Sequence, residues 1–526
     1  MSTDKSQEPH PDSHRALVKS ASILSLGTLC SRILGFIRDV ILAKFLGTGM
    51  RADAFFVAFK IPNLFRDFVG EGATNAAIVP VLSEYRDKDK KVLGDFISVI
   101  FVLALIILSL LTILGIILTP WIVRVMAPGF IVDPPKLLLT IQLTKWMFPY
   151  LIFIGFTAYS MGILFTFRSF AVPAFSPCLL NISMIVAAAL ASRNMQEPVL
   201  GLAWGVLAGG FLQLGAQMIP LYRSGFRFTT PKTLYHPGAV KIGRLLIPRM
   251  VGSGVYQLSV LIDTFCASLA SIVGPGGVSA IYYANRILQF PMGVFTFALS
   301  TAVLPTFSGQ VNRKDIPSLK KTLTFTLENI FFIMCPMTVL LFFLSEPIIR
   351  ICFQRGEFDA YSTSIASGAL LYFSLGLFSF AGIKILVTAF YALQDTKTPV
   401  VVAGICLLIN TVLNFMFMVP LKISGIALAS SIAGTVDFLA LFYFLERRIG
   451  GLNSGLPRYF LKVSLAGLAM GMVVVGLWHY GIFLNEVVKL GLIVFLACLV
   501  YGGMCLILKI EQAWKIWEWI WTCGKK

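Results

Sequence analysis

Charged residues are scarce in this chain of 526 residues. Asp, Glu, Lys and Arg make up 13% of it, about half of the ~25% that is usual in soluble domains. Hydrophobic residues make up 57%, and apolar runs long enough to cross a bilayer recur along the sequence. This balance excludes a soluble globular protein and predicts an all-α polytopic membrane protein. The net charge of +18 does not indicate nucleic-acid binding, because the basic residues stand in short links between apolar runs, as in membrane proteins with basic cytoplasmic loops.

The chain also lacks the patterns of enzyme active sites and metal centres. Its nine Cys include no Cys-x-x-Cys pair, and most lie in apolar segments, where Cys acts as a small hydrophobic residue. There are four His and no nucleotide-binding, metalloprotease, serine-hydrolase or dinucleotide motif. We therefore expect no enzyme activity, no metal site and no cofactor.

Apolar runs predict about fourteen membrane helices. Their ranges are 17–46, 51–85, 92–126, 137–168, 172–193, 197–223, 239–271, 276–309, 317–351, 361–393, 397–419, 423–447, 459–480 and 485–509. Bends are expected at internal prolines, such as Pro62, Pro149, Pro248 and Pro291. Lys and Arg are concentrated in alternate links, which predicts that both termini are cytoplasmic. The opposite links hold only Arg51, Lys136, Arg193, Arg355 and Lys422.

A weak internal repeat predicts two lobes. Four segment pairs match at offsets of about 225 residues, among them 54–61 with 280–287, 201–210 with 425–434, and Cys178–Asn181 with Cys406–Asn410. Since this spacing covers six helices, the repeats have the same orientation, and two further helices follow them. The predicted divisions are a polar cytoplasmic leader 1–16 without a cleaved signal peptide, an N-lobe 17–223, a cytoplasmic linker 224–238, a C-lobe 239–447, helices 13 and 14 at 448–511, and a cytoplasmic tail 512–526.

This two-lobe arrangement is typical of transporters, whose substrate site lies between the repeats near the membrane midplane. A channel is the alternative. Residues 31–80 hold an unusual number of charges for membrane helices: Arg32, Arg38, Asp39, Lys44, Asp53, Lys60, Arg66, Asp67 and Glu71. Each would cost about 2.5–3.5 kcal/mol near a bilayer centre, so we expect them to line an aqueous cavity or to form ion pairs.

Guanidinium groups match phosphate oxygens with paired hydrogen bonds, so an anionic, phosphorylated substrate is expected. The predicted substrate-binding residues are Arg32, Arg38, Arg66 and Arg286, the last at the repeat position of Lys60. The predicted gating or supporting residues are Ser31, Gly35, Asp39, Asp53, Lys60, Asn63 and Glu71. The alternative is that these charges form internal pairs or extend toward the lipid headgroups.

A second polar group is predicted in the C-lobe. Asp263 interrupts an apolar run, and two amides one turn apart could face it from another helix. The candidate site consists of Asp263, Asn410, Asn414 and Ser430. Oxygen ligands of this kind suit a small monovalent cation or a proton. A hydrogen-bonded helix contact explains the same residues equally well.

Four segments carry a resemblance to a known family: SRILGFIRDVILAKFLGTGMRADAFFVAFKIPNLFRDFVGEGA, VPAFSPCLLNIS, IYYANRILQFPMGV and YALQDTKTP. The chain resembles the MurJ (MviN) family of bacterial lipid II flippases, in the MOP exporter superfamily. The resemblance implies a V-shaped transporter of fourteen helices in the inner membrane. It also implies movement of lipid II to the periplasmic leaflet for peptidoglycan synthesis, with a groove for the lipid tail at helices 13 and 14.

The resemblance also implies site residues and partners. The family's functional arginines match Arg32, Arg38, Arg66 and Arg286, and its acidic residues match Asp39, Asp53 and Glu71. The sequence departs from some members at Asn285 and Gln289, where acids occur, and it matches the family's cation site only loosely. Expected partners are lipid II, membrane lipids and cell-wall synthesis or division proteins, with no nucleic acid. Membrane potential, Na⁺ or H⁺ is the expected driving force.

Three alternatives stay open at this stage. The chain could export another polyprenyl-diphosphate saccharide, exchange drugs for cations, or act as a non-transporting scaffold for cell-wall enzymes.

Overall fold

The computed structural model describes the backbone of residues 11–69, 73–86, 90–195, 197–224, 226, 230–231, 233–452, 455–479 and 485–523. Among these, side chains are described except at 11–21, 65–69, 73–76, 86, 90–91, 192–194, 247–253, 519–521 and 523. The described residues form helices and no strand. The all-helical class predicted from composition is confirmed.

The first nine α-helices are α1 Pro11–Leu46, α2 Met50–Val69, α3 Ala73–Arg86, α4 Lys90–Met126, α5 Pro134–Met147, α6 Tyr150–Thr166, α7 Ala171–Asn194, α8 Pro198–Arg223 and α9 Pro237–Ser268. The others are α10 Ala270–Val273, α11 Gly277–Pro291, α12 Phe297–Asn312, α13 Ile316–Phe343, α14 Ser345–Phe353, α15 Ala360–Leu375, α16 Leu377–Ala392, α17 Lys397–Leu421, α18 Ile423–Ile449, α19 Leu456–His479, α20 Glu486–Ile507 and α21 Glu511–Cys523. A 3₁₀ turn spans Pro128–Val132, and a π-helical turn spans Met292–Thr296.

Short polar side chains begin several helices. Asp133, Asp315 and Asp359 each accept a hydrogen bond from a backbone N–H three residues later, at the starts of α5, α13 and α15. Such caps satisfy N–H groups that have no partner within the helix. Two predicted proline bends coincide with helix breaks: Pro149 precedes α6, and α11 ends at Pro291.

The structure supplies membrane-length helices at most of the predicted positions. In the described residues, ten helices are long and apolar enough to cross a membrane, or up to eleven if α15 and α16, bent by 48°, form one span. Helices also lie at the predicted first, second and seventh spans, as α1, α2–α3 and α9. None of these three is among the ten. The first two contain most of the charges of residues 31–80, and the seventh contains Asp263. The chain is a polytopic membrane protein, and the count of fourteen crossings stays a prediction.

The chain packs as two units. The first unit comprises Met1–Leu46, Ala54–Met126 and Ile131–Gln257. Within it, α7 packs against α1 and α8, and α6 packs against α3, α4 and α8. One core of this unit joins α3, α4 and α6 through residues that include Val81, Phe96 and Leu164.

The second unit comprises Gly47–Asp53, Ala127–Phe130 and Leu258–Lys526. Within it, α18 packs against α15, α16 and α17, and α13 packs against α19. A core of Leu344, Met470, Ile493 and Tyr501 with their neighbours joins α13, α19 and α20. The division between the units lies within α9, and the lobe bounds predicted from the repeat stay a prediction.

An additional helix, α21, lies in the predicted cytoplasmic tail. It follows α20 after a short turn in which Lys509 adopts a positive φ. Gln512 and Ala513 are buried within the second unit, and Gln512 Nε2 donates to Glu328 Oε2 of α13 at 3.3 Å. Trp514 and Trp517 are exposed. The sequence analysis did not predict this element.

Candidate functional site

Arg38 and Asp39 form a buried ion pair in the first unit. Arg38 is 4% exposed and Asp39 0%. The guanidinium Nε and Nη2 donate to Asp39 Oδ1 at 3.0 and 2.8 Å. Because an unpaired buried charge costs several kcal/mol, each group stabilises the other inside the helix bundle.

Asn181 of α7 completes this group. Arg38 Nη1 donates to Asn181 Oδ1 at 3.0 Å, and Asn181 Nδ2 donates to the backbone oxygen of Ser31 at 3.0 Å. A Cβ built on Gly35 would lie 3.7 Å from Asn181 Nδ2, so the amide packs directly on the α1 backbone there. Three predicted residues of α1, Ser31, Gly35 and Arg38, therefore lie against one amide, and Arg38 links Asp39 to it. Sequence reasoning did not select Asn181, although its repeat match with Asn410 was a usable signal.

The other predicted residues of α1 and α2 have different surroundings. Arg32 is exposed, and Lys60 and Asn63 are half-buried. Asn63 Nδ2 donates to the Phe59 backbone oxygen at 2.8 Å, while its Oδ1 is buried and accepts no hydrogen bond. The Arg66 side chain and all of Glu71 lie outside the described residues.

Asp53 caps a helix of the second unit. Its Oδ1 accepts hydrogen bonds from Ser279 N at 2.9 Å and Ser279 Oγ at 2.7 Å. Ser279 lies in the first turn of α11, whose own N-cap residue, Gly276, supplies no side-chain acceptor. The carboxylate satisfies N–H groups at the positive end of the helix. Asp53 and Ser279 occupy equivalent positions in the repeat, since Ala54 matches Ala280.

Arg286 lies on α11, half-buried. Its Nη2 donates to the Tyr282 hydroxyl at 3.2 Å, and its guanidinium carbon lies 5.4 Å from the centre of the Tyr282 ring. The ring face attracts the cation and limits its motion. Tyr282 therefore positions Arg286, a role that sequence reasoning missed.

The four residues of the candidate cation site lie on α9, α17 and α18. Asp263 accepts hydrogen bonds from Asn414 Nδ2 at 2.9 Å and Ser430 Oγ at 3.3 Å. Asn410, one turn from Asn414, donates to Ser259 Oγ at 3.3 Å. The Oδ1 atoms of Asn410 and Asn414 are buried and accept no hydrogen bond. Carboxylate and amide oxygens in one place can coordinate a small cation.

The fold and these sites define a class. The described residues combine ten helices of membrane length with a buried ion pair on α1 and with a carboxylate on α9 that bonds to an amide and a hydroxyl. Polar groups in such positions mark the substrate and ion pathways of membrane transporters.

Comparison with known proteins identifies the family within this class. The family model described as "Lipid II flippase MurJ" matches residues 42–498. The "Probable lipid II flippase MurJ" of Buchnera aphidicola subsp. Acyrthosiphon pisum is 35% identical over 482 residues, which cover 90% of this chain and 94% of that protein. The "Lipid II flippase MurJ" of Burkholderia cenocepacia is 35% identical over 466 residues, 86% of this chain and 88% of that protein. The chain belongs to the lipid II flippase MurJ family.

Solved structures agree with this result. A structure described as "Lipid II flippase MurJ, inward closed conformation" matches with a TM-score of 0.79 and 29% identity, covering 92% of this chain and 98% of that one. A multidrug resistance MATE family transporter of the MOP superfamily, in an inward-facing conformation, matches with a TM-score of 0.65 and 17% identity, over 80% of this chain and 94% of that one. The second likeness shows a shared fold.

Proposed function

We propose that this protein is a flippase that moves lipid II from the cytoplasmic to the periplasmic leaflet of the bacterial inner membrane, for cell-wall synthesis. The observation that carries the proposal is family membership. The match extends over residues 42–498, and relatives named as lipid II flippases are 35% identical over most of both chains. The protein acts as a transporter and not as an enzyme.

The head-group site in this proposal is built from arginines. Arg32, Arg66 and Arg286 bind the diphosphate, because guanidinium groups pair with phosphate oxygens through two parallel hydrogen bonds. The Tyr282 ring supports this role for Arg286 by holding its guanidinium in place. Arg38 joins the set when its bonds to Asp39 and Asn181 are exchanged for bonds to substrate.

Alternating access moves the head group across the membrane while the lipid tail stays in the bilayer. The lobes 17–223 and 239–447 rock about the head-group site, and α19 and α20 provide the groove for the tail. Asp39, Asp53, Lys60, Asn63 and Glu71 support or gate the arginines, together with Ser31 and Gly35.

Two energy sources fit the charges involved. A membrane potential that is negative inside favours outward movement of an anionic head group by about 2.3 kcal/mol per charge per 100 mV. Cation binding at Asp263, Asn410, Asn414 and Ser430 provides a second source, with Na⁺ or H⁺ as the ion. The buried amide oxygens without donors support a cation there.

The proposed setting follows from the positions of the basic links. Both termini lie in the cytoplasm, and the leader 1–16, the linker 224–238 and the tail 512–526 face it. Lipid II and membrane lipids are direct partners, and proteins of cell-wall synthesis or division have access to the basic cytoplasmic links.

The test is complementation of a bacterium depleted of its own lipid II flippase, combined with lipid II translocation in vesicles. We expect the wild type to restore growth and Arg286→Ala and Arg32→Ala to lose at least tenfold in translocation. Arg355→Ala is the matched control, because it removes an exposed arginine in the turn that follows α14. We expect its translocation activity to equal that of the wild type. Equal insertion of all variants is checked by membrane immunoblot.

Normal translocation in both Arg286→Ala and Arg32→Ala would refute the proposed head-group site. The rival functions give different results in the same assays. A cation-coupled drug antiporter would bind organic cations and not lipid II, an exporter of another polyprenyl-diphosphate saccharide would fail with lipid II alone, and a scaffold would complement without any translocation.

A further inference from the structure

The carboxylates of α1 and α9 are related by the internal repeat. Asp39 on α1 and Asp263 on α9 are separated by the same offset as residues 201–210 and 425–434. Asn181 on α7 and Asn410 on α17 lie in the matching segments Cys178–Asn181 and Cys406–Asn410. Each half of the chain therefore places a carboxylate on one helix, α1 or α9, and an amide on a later one, α7 or α17.

Each amide donates a hydrogen bond to the helix that carries the carboxylate of its half, to a backbone oxygen in the first half and to a side-chain hydroxyl in the second. Asn181 Nδ2 donates to the Ser31 backbone oxygen, over a separation of 150 residues, and Asn410 Nδ2 donates to Ser259 Oγ, over a separation of 151 residues. In both halves the NH₂ group therefore binds a residue that precedes the carboxylate in the sequence of the same helix. The amide oxygen is then left to face another partner.

The partner of that oxygen differs between the halves. In the first, Arg38 joins Asn181 Oδ1 to Asp39 Oδ1, with contacts of 2.8 to 3.0 Å. In the second, the residue that precedes Asp263, as Arg38 precedes Asp39, is the apolar Ile262. There the Oδ1 atoms of Asn410 and Asn414 are buried, within 5% exposure, and accept no hydrogen bond.

We propose that the two halves contain one repeated cation-holding site, in which the Arg38 guanidinium is the built-in cation of the first half and a free monovalent cation serves the second. The assignment in the second half rests on the cation coupling included in the proposed function. The assignment in the first half rests on the bonds among Arg38, Asp39 and Asn181 alone.

The two kinds of cation have different physical consequences. A cation tethered to the backbone cannot diffuse away, so in the absence of substrate Asp39 keeps Arg38 as its partner at any salt concentration. A free ion binds by mass action and stabilises only the state that holds it. Ion dependence is therefore confined to the second half, and the packing of α1 against α7 is independent of ions.

The test is the thermal stability of the purified full-length protein in detergent, measured in NaCl, KCl and choline chloride at equal ionic strength. Asp263→Asn removes the carboxylate of the second half and should abolish the stabilisation by the small cations. Adding Arg38→Ala should create a new cation site in the first half. We expect guanidinium, at millimolar concentration, to raise the Tm of this double variant by about 2 °C or more, and Na⁺ or K⁺ to act in the same direction.

Three controls make the result specific. Arg38→Lys in the same background keeps a tethered cation and should not respond to guanidinium. Asp39→Asn added to the double variant removes the carboxylate and should abolish the response, and it also removes the buried charge that could prevent folding. Urea at the same millimolar concentration has guanidinium's shape without its charge and should have no effect.

The assignment of Arg38 is overturned if guanidinium raises the Tm of the double variant no more than it raises the Tm of the triple variant with Asp39→Asn. The assignment of a free cation to the second half is overturned if small cations do not raise the Tm of the wild type, or if they raise that of Asp263→Asn equally. The assignment of Arg38 in the first half is tested separately, by the response of the double variant to guanidinium. Neither result depends on lipid II translocation, so failure of the proposed function is recognised separately in the vesicle assay.

Discussion

Asp395 lies between α16 and α17, and several hydrogen bonds hold its carboxylate in place. Its Oδ1 accepts from the backbone N–H groups of Lys397 and Thr398, and its Oδ2 accepts from Thr398 Oγ1 at 2.7 Å. Arg448 of α18 forms an ion pair with the same Oδ2. These contacts tie the start of α17 to the end of α18.

Asp395 should give stability a specific pH dependence. Burial raises the pKa of this carboxyl, but the hydrogen bonds from Thr398 and the charge of Arg448 outweigh burial, and the pKa is lowered. A lowered pKa in the folded state means that the stabilisation is present above the unfolded pKa of about 3.9 and is lost as pH falls through the folded value. We expect Asp395→Asn to lower Tm at neutral pH and to flatten its dependence on pH below about 5. The measurement is Tm as a function of pH.

The control for Asp395 is Glu357→Gln, which neutralises an exposed carboxylate and should retain the wild-type pH profile. An Asp395→Asn protein with the same acid slope as the wild type would contradict this account of the cluster.

Asp53 leads to a second prediction for a single residue. Asp53→Ala leaves the buried N–H of Ser279 without its acceptor, at a cost of about 1–3 kcal/mol. Asp53→Asn keeps an acceptor oxygen and should cost less. We expect faster hydrogen exchange at the first turn of α11 in Asp53→Ala, with Asn intermediate. Ser279→Ala is the matched control because it removes only the hydroxyl donor, and exchange as fast in that variant as in Asp53→Ala would show that the cap is not the cause.

Whole helices in the first unit approach one another closely where small residues face each other. In α8, Gly201, Gly205 and Gly209 recur at every fourth position. A Cβ on Gly205 would lie 2.5 Å from Ala187 Cβ, and one on Gly209 would lie 2.9 Å from Leu180 Cα. Such small-residue stripes let helix backbones pack in membranes, where apolar burial provides little driving force.

Gly205→Val should therefore separate α8 from α7. Overpacking of a close contact costs about 1–3 kcal/mol, so we expect a lower Tm and reduced yield of folded protein in size-exclusion chromatography. Gly215→Val, in the same helix, is the matched control because a Cβ there meets nothing within 4 Å. If both variants lose the same stability, the cause is the presence of valine in a helix and not the contact with α7.

Two features at the level of elements were outside the sequence analysis. The break between α13 and α14 lies inside a predicted continuous span, 317–351, with a cap at Leu344. The helix α21 lies in a segment predicted only as a cytoplasmic tail. In both cases average hydrophobicity determined the prediction, whereas the ends of helices depend on local backbone geometry that composition does not contain.

At the scale of the whole molecule, the distribution of Lys and Arg predicts the topology. The links that follow α8 and α18 are rich in basic residues, whereas the link between α7 and α8 is poor in them. We expect alkaline phosphatase fused after residue 195 to be active, because it would reach the periplasm, and a fusion after residue 452 to be inactive.

Green fluorescent protein at the C-terminus is the complementary reporter and should be fluorescent, since it folds in the cytoplasm. An active phosphatase after residue 452 together with a non-fluorescent C-terminal fusion would show that the topology is the reverse of the predicted one. The proposed direction of transport would then be wrong as well.

The sequence by itself determined the class, the family resemblance and the positions of the helices. Each of these follows from local information, such as apolar runs of bilayer length, the repeat, and the motifs around Arg38 and Arg286. It also selected Asp263, Asn410 and Asn414 as one group, because polar residues inside apolar helices are costly unless they meet.

Only the tertiary structure decided which partner each polar group has. Asn181 accepts a hydrogen bond from Arg38, Ser279 donates to Asp53, and the Tyr282 ring lies against Arg286. The physical reason is that a side chain's partner depends on which helices pack together and at what rotation and depth. Residues 143 or 226 positions apart in the chain are brought within 3 Å by that packing, and no local pattern encodes it.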